Sequence, residues 1–401
     1  MKTEAYIYSG IRTPFGRHAG ALASVRPDDL LASAIGAALR QSPFSGADFE
    51  DVIIGCANQA GEDSRNIARR AALLAGLPVE VGGLTVNRLC ASGLAAVIDA
   101  GRAIECGHGE VFVAGGVESM SRAPFVMSKT DRAFGRNAQM FDSTLGSRFP
   151  NVHQSVLYGD HTMTETANEV GKDLEISREE SDQFAHASQL RYAKARTSGF
   201  FEDELHSVQV VAGKRSSALV TEDEHPRPDT TIEKLAALDS LLDGGVVTAG
   251  NASGVNDGAA VLIIGSGQAG ERVGVKPLAR IVASGVAGVD PRVMGLGPVP
   301  ASKKALARAG LRLSDMDVIE INEAFATQVL GCLKLMKLSS EDPRLNPNGG
   351  AIAVGHPLGA SGARLALTAI RQLHRVKGQY ALVTLCIGVG QGLAAVFERT
   401  F

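Results

Sequence analysis

The chain has 401 residues, of which 45% are hydrophobic and 21% charged, and its 40 basic and 43 acidic side chains leave a formal charge of −3. That balance fits a globular protein with ample core, enough length for two or three domains, and no general affinity for nucleic acid or membrane surfaces. Five cysteines, an odd number without a C-x-x-C pair, argue against a disulfide framework or a zinc ribbon. Met1 to Gly10 lacks the basic flank and apolar core of a signal peptide, and no apolar run approaches a membrane span, so the expectation is a cytoplasmic protein with free thiols.

In chain order, Ala5–Tyr8 reads as a buried strand, Leu30–Leu39 as a helix, Val52–Gly55 as a strand, Asn66–Ala75 as a helix and Val111–Gly115 as a strand. Strand and helix in alternation predict an α/β fold with a parallel or mixed sheet. From about Arg122 to Asp243 the texture becomes polar and irregular, around one clear helix over Ser177–Arg196. Ser177 and Glu180 form its capping box. This stretch is expected to be an insertion used for binding.

The last third returns to the first pattern. Asp51-Val52-Ile53 recurs as Asp317-Val318-Ile319, Ala91-Ser92-Gly93 as Ala360-Ser361-Gly362, and Val111–Val113 as Ala381–Val383. Nearly constant offsets through three landmarks predict two halves of one shape.

Five motifs could carry chemistry. Cys90, in Asn87-Arg88-Leu89-Cys90-Ala91-Ser92-Gly93, ends a strand where a helix begins, and the amides of a helix start favour a thiolate and can hold an oxyanion. The bland alternative is a structural cysteine. His356, in Gly355-His356-Pro357-Leu358-Gly359, occupies a rigid turn suited to a base that activates a thiol, or merely caps a helix. Cys386, before Gly388-Val389-Gly390, fits a tight turn that exposes a second thiol beside free amides, and matches neither a P-loop nor a dinucleotide fingerprint. Asn322, after the strand Val318–Glu320, either positions a water or caps a helix. Thr248–Gly258 permits close approach of a ligand, or is simply a turn.

Taken together, Cys90 in N-R-L-C-A-S-G, Asn322 in N-E-A-F, His356 in G-H-P-L-G-A-S-G and Cys386 in C-I-G-V-G-Q-G resemble the four signature blocks of the thiolases. Arg12–Gly16, Gly115–Ser121 and Thr248–Gly258 also match, so the resemblance covers essentially the whole chain. It implies a five-layered αβαβα fold of two similar halves, with residues 1–121 and 244–273 forming the first, 122–243 an inserted loop domain and 274–401 the second. It also implies a homodimer or homotetramer, and a ping-pong acyl transfer between 3-oxoacyl-CoA and coenzyme A with no bound cofactor and no metal.

The roles it implies are Cys90 as nucleophile, His356 as base, Cys386 as proton carrier, and oxyanion sites formed by His356 with an Asn322-held water and by the amides of Cys90 and Gly388. For coenzyme A it implies Ser253 and Ala249 at the pantetheine, Ala324 and Phe325 along the tunnel, Met163 in the loop-domain pocket and Arg227 near the nucleotide. Within the family, Glu118–Met127, Gly297–Pro300 and Asn346–Gly350 look most like 3-oxoadipyl-CoA thiolases. Thr162-Met163 departs from the His-Met of biosynthetic acetoacetyl-CoA thiolases, which remain the alternative. Arg122 and Arg148 are candidates for a distal carboxylate. A ketoacyl synthase would lack Cys386, a lipid-binding relative without catalysis would lack one of the three reactive residues, and a redox protein would need a paired cysteine.

Overall fold

The computed structural model describes residues 3–212 and 216–401; Met1 and Lys2, where the leader reading began, lie outside the described residues. The first half contributes β1 (Ala5–Arg12), α1 (Pro27–Gln41), β2 (Asp51–Gly55), α2 (Ile67–Leu74), β3 (Leu84–Val86), α3 (Ser92–Glu105), β4 (Val111–Ser119) and β5 (Asn256–Ser266). The second contributes β6 (Ala279–Gly288), α4 (Pro298–Ala309), β7 (Val318–Ile321), α5 (Ala326–Met336), α6 (Leu358–Val376), β8 (Tyr380–Ile387) and β9 (Gln391–Arg399).

Sequence chemistry sets the helix ends. Pro27 opens α1, with Asp28 and Asp29 in its first turn and Arg40 in its last, each placed favourably against the helix dipole. The Asn66 side chain caps α2 by accepting from the Arg69 amide, and Ser177 and Glu180 form the reciprocal box that starts the helix Arg178–Thr197.

The strands run in the order β7-β8-β9-β6-β1-β5-β4-β2-β3. β2 and β4 are parallel, as are β7 and β8; β5 is antiparallel to β4, as β9 is to β8. The succession β2-β4-β5-β1 is therefore repeated by β7-β8-β9-β6, as the sequence repeat predicts. The two units meet at β1 and β6, where Tyr6 pairs with Arg280 and Ile7 with Ala279.

Both faces of each unit are buried, which is why these strands are unbroken apolar runs. On β5, Ala259, Val261 and Ile263 face α1 and α2, whereas Ala260, Leu262 and Ile264 face α3 and α6. On β8 and β9, Val383, Leu385, Ala395 and Phe397 share that inner core, and Leu382, Ala394 and Val396 turn outward to α4 and α5. The period-two alternation thus produces five layers: α1/α2, sheet, α3/α6, sheet, α4/α5. The central helices touch backbone to backbone. A Cβ at Gly93 would strike the Gly359 carbonyl, and one at Gly362 would strike the Leu94 amide.

Between β4 and β5 the chain leaves the sheet. It forms a hairpin (Phe125–Met127 with Met140–Asp142), helices over Val152–Tyr158, Met163–Asp173 and Arg178–Thr197, and a second hairpin (Val208–Ala212 with Ser216–Val220). Arg12 anchors part of this excursion, fully buried between Glu204 at 2.6 Å and Asp223 at 2.6 Å. Among the described residues no helix is long and apolar enough to cross a membrane.

Candidate active site

Three chain reversals converge at one end of the central helix layer. The first carries Cys90. β3 ends at Val86, Leu89 takes a left-handed backbone (φ 46°), and a short 3-10 turn over Leu89–Ala91 runs into α3. Ser92 locks that turn: its hydroxyl donates to the Leu89 carbonyl at 2.7 Å and accepts from the Arg88 amide at 2.8 Å.

The second reversal follows β8. Cys386 is fully buried, Gly388 is buried, and Val389 takes φ 63° before the chain returns along β9. The third leads into α6. The His356 amide donates to Asn256 Oδ1 at 2.9 Å, and the Asn256 side chain donates to the Gly16 carbonyl at 2.9 Å, which ties the R-T-P-F-G and Thr248–Gly258 motifs to the histidine.

The hydrogen bonds assign the imidazole tautomer. Ser361 Oγ donates its single proton to the Pro357 carbonyl at 2.9 Å, so it accepts from His356 Nδ1–H at 2.6 Å. Nε2 is then the basic nitrogen, and it faces Asn322 Nδ2 at 3.3 Å. Asn322 Oδ1 is buried with no protein partner among the described residues. Asn322 caps no helix: α5 begins at Ala326, after Phe325. The loop bearing Asn322 is held by Glu323, which accepts from Ser188 Oγ at 2.6 Å, Asn346 Nδ2 at 2.8 Å and the Ile352 amide at 3.2 Å.

Electrostatics correct two expectations. The helix start does not lower the Cys90 pKa. Cys90 is of intermediate exposure, but desolvation around its sulfur pushes the thiol up to about 11, outweighing the amides of Gly388 and of Cys90 itself that favour the thiolate. Cys386 is not exposed by its turn either. Burial pushes its thiol well above the ordinary value, and the neighbouring Cys90 raises it further. Burial, then the Arg364 charge, lower His356 to about 3. At neutral pH the resting set is therefore two thiols and an uncharged imidazole.

The remaining site residues divide. Cys386, Ala324 and Met294 form one apolar cluster with Met163 and Phe325 against it. Met163 starts its helix beside Gly388, fixed by the Thr162–Glu165 capping box. Ser253 donates its amide to the Ala324 carbonyl at 2.9 Å, and Ala252 bridges to Phe325, so the segment holding Ala249 and Ser253 lies along the same wall. Arg227 is not part of that cluster. Its amide donates to Gln189 Oε1 at 2.9 Å and its exposed side chain has no acidic partner among the described residues. Arg122 is already paired with Glu62 at 2.5 Å, whereas among the described residues Arg148 bonds only the neutral Asn58, at 3.2 Å.

Two residues escaped sequence reasoning. In the sequence Ser361 stands only within a repeated triplet and a matching block, although a serine five places beyond a histidine on the first turn of a helix can reach its ring. Glu118 was noted only within a matching block. With Cys56 and Asp63 it forms a buried group whose potential metal-ligating atoms lie within 4.8 Å of one another, but its oxygens are occupied by backbone amides.

The thiolase N-terminal domain model matches residues 5–268 and the thiolase C-terminal domain model residues 275–399. The chain belongs to the thiolase family. It is 58% identical over 401 residues, covering 99% of both chains, to the 3-oxoadipyl-CoA/3-oxo-5,6-dehydrosuberyl-CoA thiolase of Escherichia coli, and 52% identical to the beta-ketoadipyl-CoA thiolase of Pseudomonas aeruginosa, covering 100% of both. Among solved thiolase-fold structures, the acetyl-CoA acetyltransferase of Bacillus anthracis superposes with a TM-score of 0.92 at 38% identity, covering 100% of this chain and 99% of that one. Human mitochondrial 3-ketoacyl-CoA thiolase in complex with CoA gives 0.91 at 39% identity, covering 99% and 98%. This thiolase is accordingly an acyltransferase with the αβαβα architecture expected from its sequence.

Proposed function

We propose that this thiolase cleaves 3-oxoadipyl-CoA, or a similar degradative 3-oxoacyl-CoA, through an acyl-Cys90 intermediate. The observation that carries the mechanism is the buried His356 held by Ser361 at Nδ1 and by Asn322 at Nε2, with Cys386 buried beside Cys90; burial raises both thiols above their ordinary values. His356 takes the Cys90 proton, and the sulfur attacks the 3-oxo carbon. The bond between C2 and C3 breaks, and its electrons leave on the acetyl-CoA enolate. Cys386, whose burial keeps it protonated, delivers a proton to that carbon. The Cys386 thiolate then takes the proton of coenzyme A, whose sulfur attacks the acyl-Cys90 thioester; the shortened acyl-CoA leaves, and the departing Cys90 sulfur takes back the proton held by His356, which restores the starting state.

The amides of Cys90 and Gly388, already aimed at the sulfur, serve the tetrahedral intermediate, and Asn322 Oδ1 has a free lone pair to hold a water beside His356 for the enolate oxygen. Met163, Ala249, Ser253, Ala324 and Phe325 line the pantetheine path, and Arg227 supplies charge for the nucleotide. The region 122–243 acts as the loop domain, between 1–121 and 244–273 of the first half, with 274–401 as the second. Arg148, without an acidic partner, is the better of the two candidates for a distal carboxylate.

The substrate rests on the full-length relatives named for 3-oxoadipyl- or beta-ketoadipyl-CoA at 52–58% identity. The second reading, acetoacetyl-CoA, is favoured by the superposition on an acetyl-CoA acetyltransferase. Comparing kcat/KM across 3-oxoadipyl-CoA, acetoacetyl-CoA and longer 3-oxoacyl-CoAs decides between them; a preference of tenfold or more for acetoacetyl-CoA, about 1.4 kcal/mol, would displace the first. The protein acts in the cytoplasm as a homodimer or homotetramer, which light scattering distinguishes.

A further inference from the structure

The two halves meet beneath the site at a junction built almost wholly of backbone. A Cβ on Gly116 or Gly93 would collide with the Gly359 carbonyl, and one on Gly359 would collide with the Val117 and Gly55 carbonyls. Into this junction, from the end of β4, projects Glu118, 2% exposed. Its Oε2 accepts from the Ala57 amide at 3.0 Å and from the Gly359 amide at 2.9 Å, and its Oε1 accepts from the Asn58 amide at 3.1 Å.

Gly359 lies in the first turn of α6, three residues after His356 and two before Ser361. α6 has no side-chain cap of its own, because Pro357 stands at the capping position. The orphan amides of such a helix start need an acceptor, and here a carboxylate from the opposite half provides it.

We infer that Glu118 is a positioning residue for the thiolase reaction: it caps α6 from the first half, and so fixes the His356–Ser361 turn relative to Cys90. The carboxylate has a second effect. The positive pole of α6 would favour a thiolate nearby; Glu118 offsets that pole, and its charge raises the Cys90 pKa. Desolvation, the larger cause, already keeps the resting cysteine a thiol whose proton must pass to the histidine, and the Glu118 charge adds to it. Among the described residues the titratable groups facing Glu118 are Cys56, 3.8 Å from Oε1, Asp63 and Cys90; burial raises the Glu118 carboxyl to about 7, so its charge is complete only above that pH.

This inference rests on Cys90 and His356 being the nucleophile and base, so its test begins with wild-type enzyme, in which acyl transfer to Cys90 is confirmed by mass spectrometry; failure there concerns the mechanism and not Glu118. The variants are Glu118→Gln, which removes the charge at nearly constant volume, and Glu118→Asp, which keeps the charge but shortens its reach. Glu118→Gln is expected to slow acylation at least tenfold with KM for the acyl-CoA changed less than threefold, and to move the pH midpoint of Cys90 alkylation by iodoacetamide downward by about half a unit or more. Glu118→Asp is expected to slow acylation similarly while leaving that midpoint in place. A Glu118→Gln enzyme with wild-type acylation, or with an unmoved alkylation profile, overturns the inference. Loss of the folded state in both variants, read by circular dichroism, also overturns it, since the residue would then serve the fold alone.

Discussion

Replacing Ser361 by alanine tests whether the histidine must be held in one tautomer. In the native site Ser361 Oγ at 2.6 Å is the one acceptor for His356 Nδ1–H among the described residues, and both groups are buried. Deleting the hydroxyl strands a buried donor at a cost of about 1–3 kcal/mol, unless the ring moves its proton to Nε2. Either outcome weakens the base: a stranded donor loosens the ring, and a proton on Nε2 removes the lone pair that receives the Cys90 proton. Since about 1.4 kcal/mol is a factor of ten in rate, acylation should fall roughly 5- to 150-fold. Fold stability should fall by about 1–3 kcal/mol if the Nδ1–H stays stranded, and by about 1 kcal/mol, for the lost Ser361–Pro357 hydrogen bond, if the ring shifts its proton. Rapid mixing of enzyme with acyl-CoA, followed by acid quench and mass analysis of Cys90, reads the step directly, and KM for the acyl-CoA should stay near its native value. A Ser361→Ala enzyme that acylates within twofold of wild type would refute the reasoning, because the imidazole would then need no fixed partner.

Cys90→Ser should form no measurable acyl-enzyme at unchanged thermal stability; normal trapping of a labelled acyl group would exclude Cys90 as nucleophile. Cys386→Ser should still exchange acyl groups between thiols but cleave and form the carbon–carbon bond at least 100-fold more slowly, within the usual range for removing a general acid; equal impairment of both half-reactions would count against a separate role. Alkylation of Cys90 should keep accelerating with pH toward about 11, and a plateau below pH 8 would show that its thiol is not held up by burial. His356, lowered from 6.5 to about 3, binds fewer protons folded than unfolded between those values, so its contribution to stability is intact above pH 6.5 and is lost as the pH falls toward 3. Urea titrations of wild type and His356→Asn should therefore differ by an amount that shrinks by about 1.4 kcal/mol per pH unit across that window; a constant difference would refute the shift.

The architecture was legible because it follows from local pattern. Strands buried on both faces must be apolar runs, capping residues such as Asn66 and Ser177 mark helix starts, and a duplicated shape leaves matching landmarks at Ala91-Ser92-Gly93 and Ala360-Ser361-Gly362. The candidate reactive residues stand out in the sequence because each lies in an unusual turn. What sequence could not supply was environment. The thiol of Cys90 is expected from sequence to ionise readily because a helix start is visible in the chain, whereas the desolvation that outweighs it depends on the folded surroundings. Glu118 and Ser361 were passed over for the same reason: their roles depend on which buried atoms they meet.

The seryl hydroxyls of the two halves have had different careers. Aligned on their shared A-S-G triplet, Leu89-Cys90-Ala91-Ser92 lies over Leu358-Gly359-Ala360-Ser361, and Asn87 over His356. Ser92 closes its own turn by accepting from the Arg88 backbone, whereas Ser361, at the equivalent place, accepts from an imidazole. The same seryl position thus closes a turn in one half and holds an imidazole in the other, and where the first half has Cys90 the second has Gly359, whose lack of a side chain leaves room for the Val117 and Gly55 carbonyls. A chain carrying two copies of the first turn would lack the imidazole, and one carrying two copies of the second would lack the thiol at position 90.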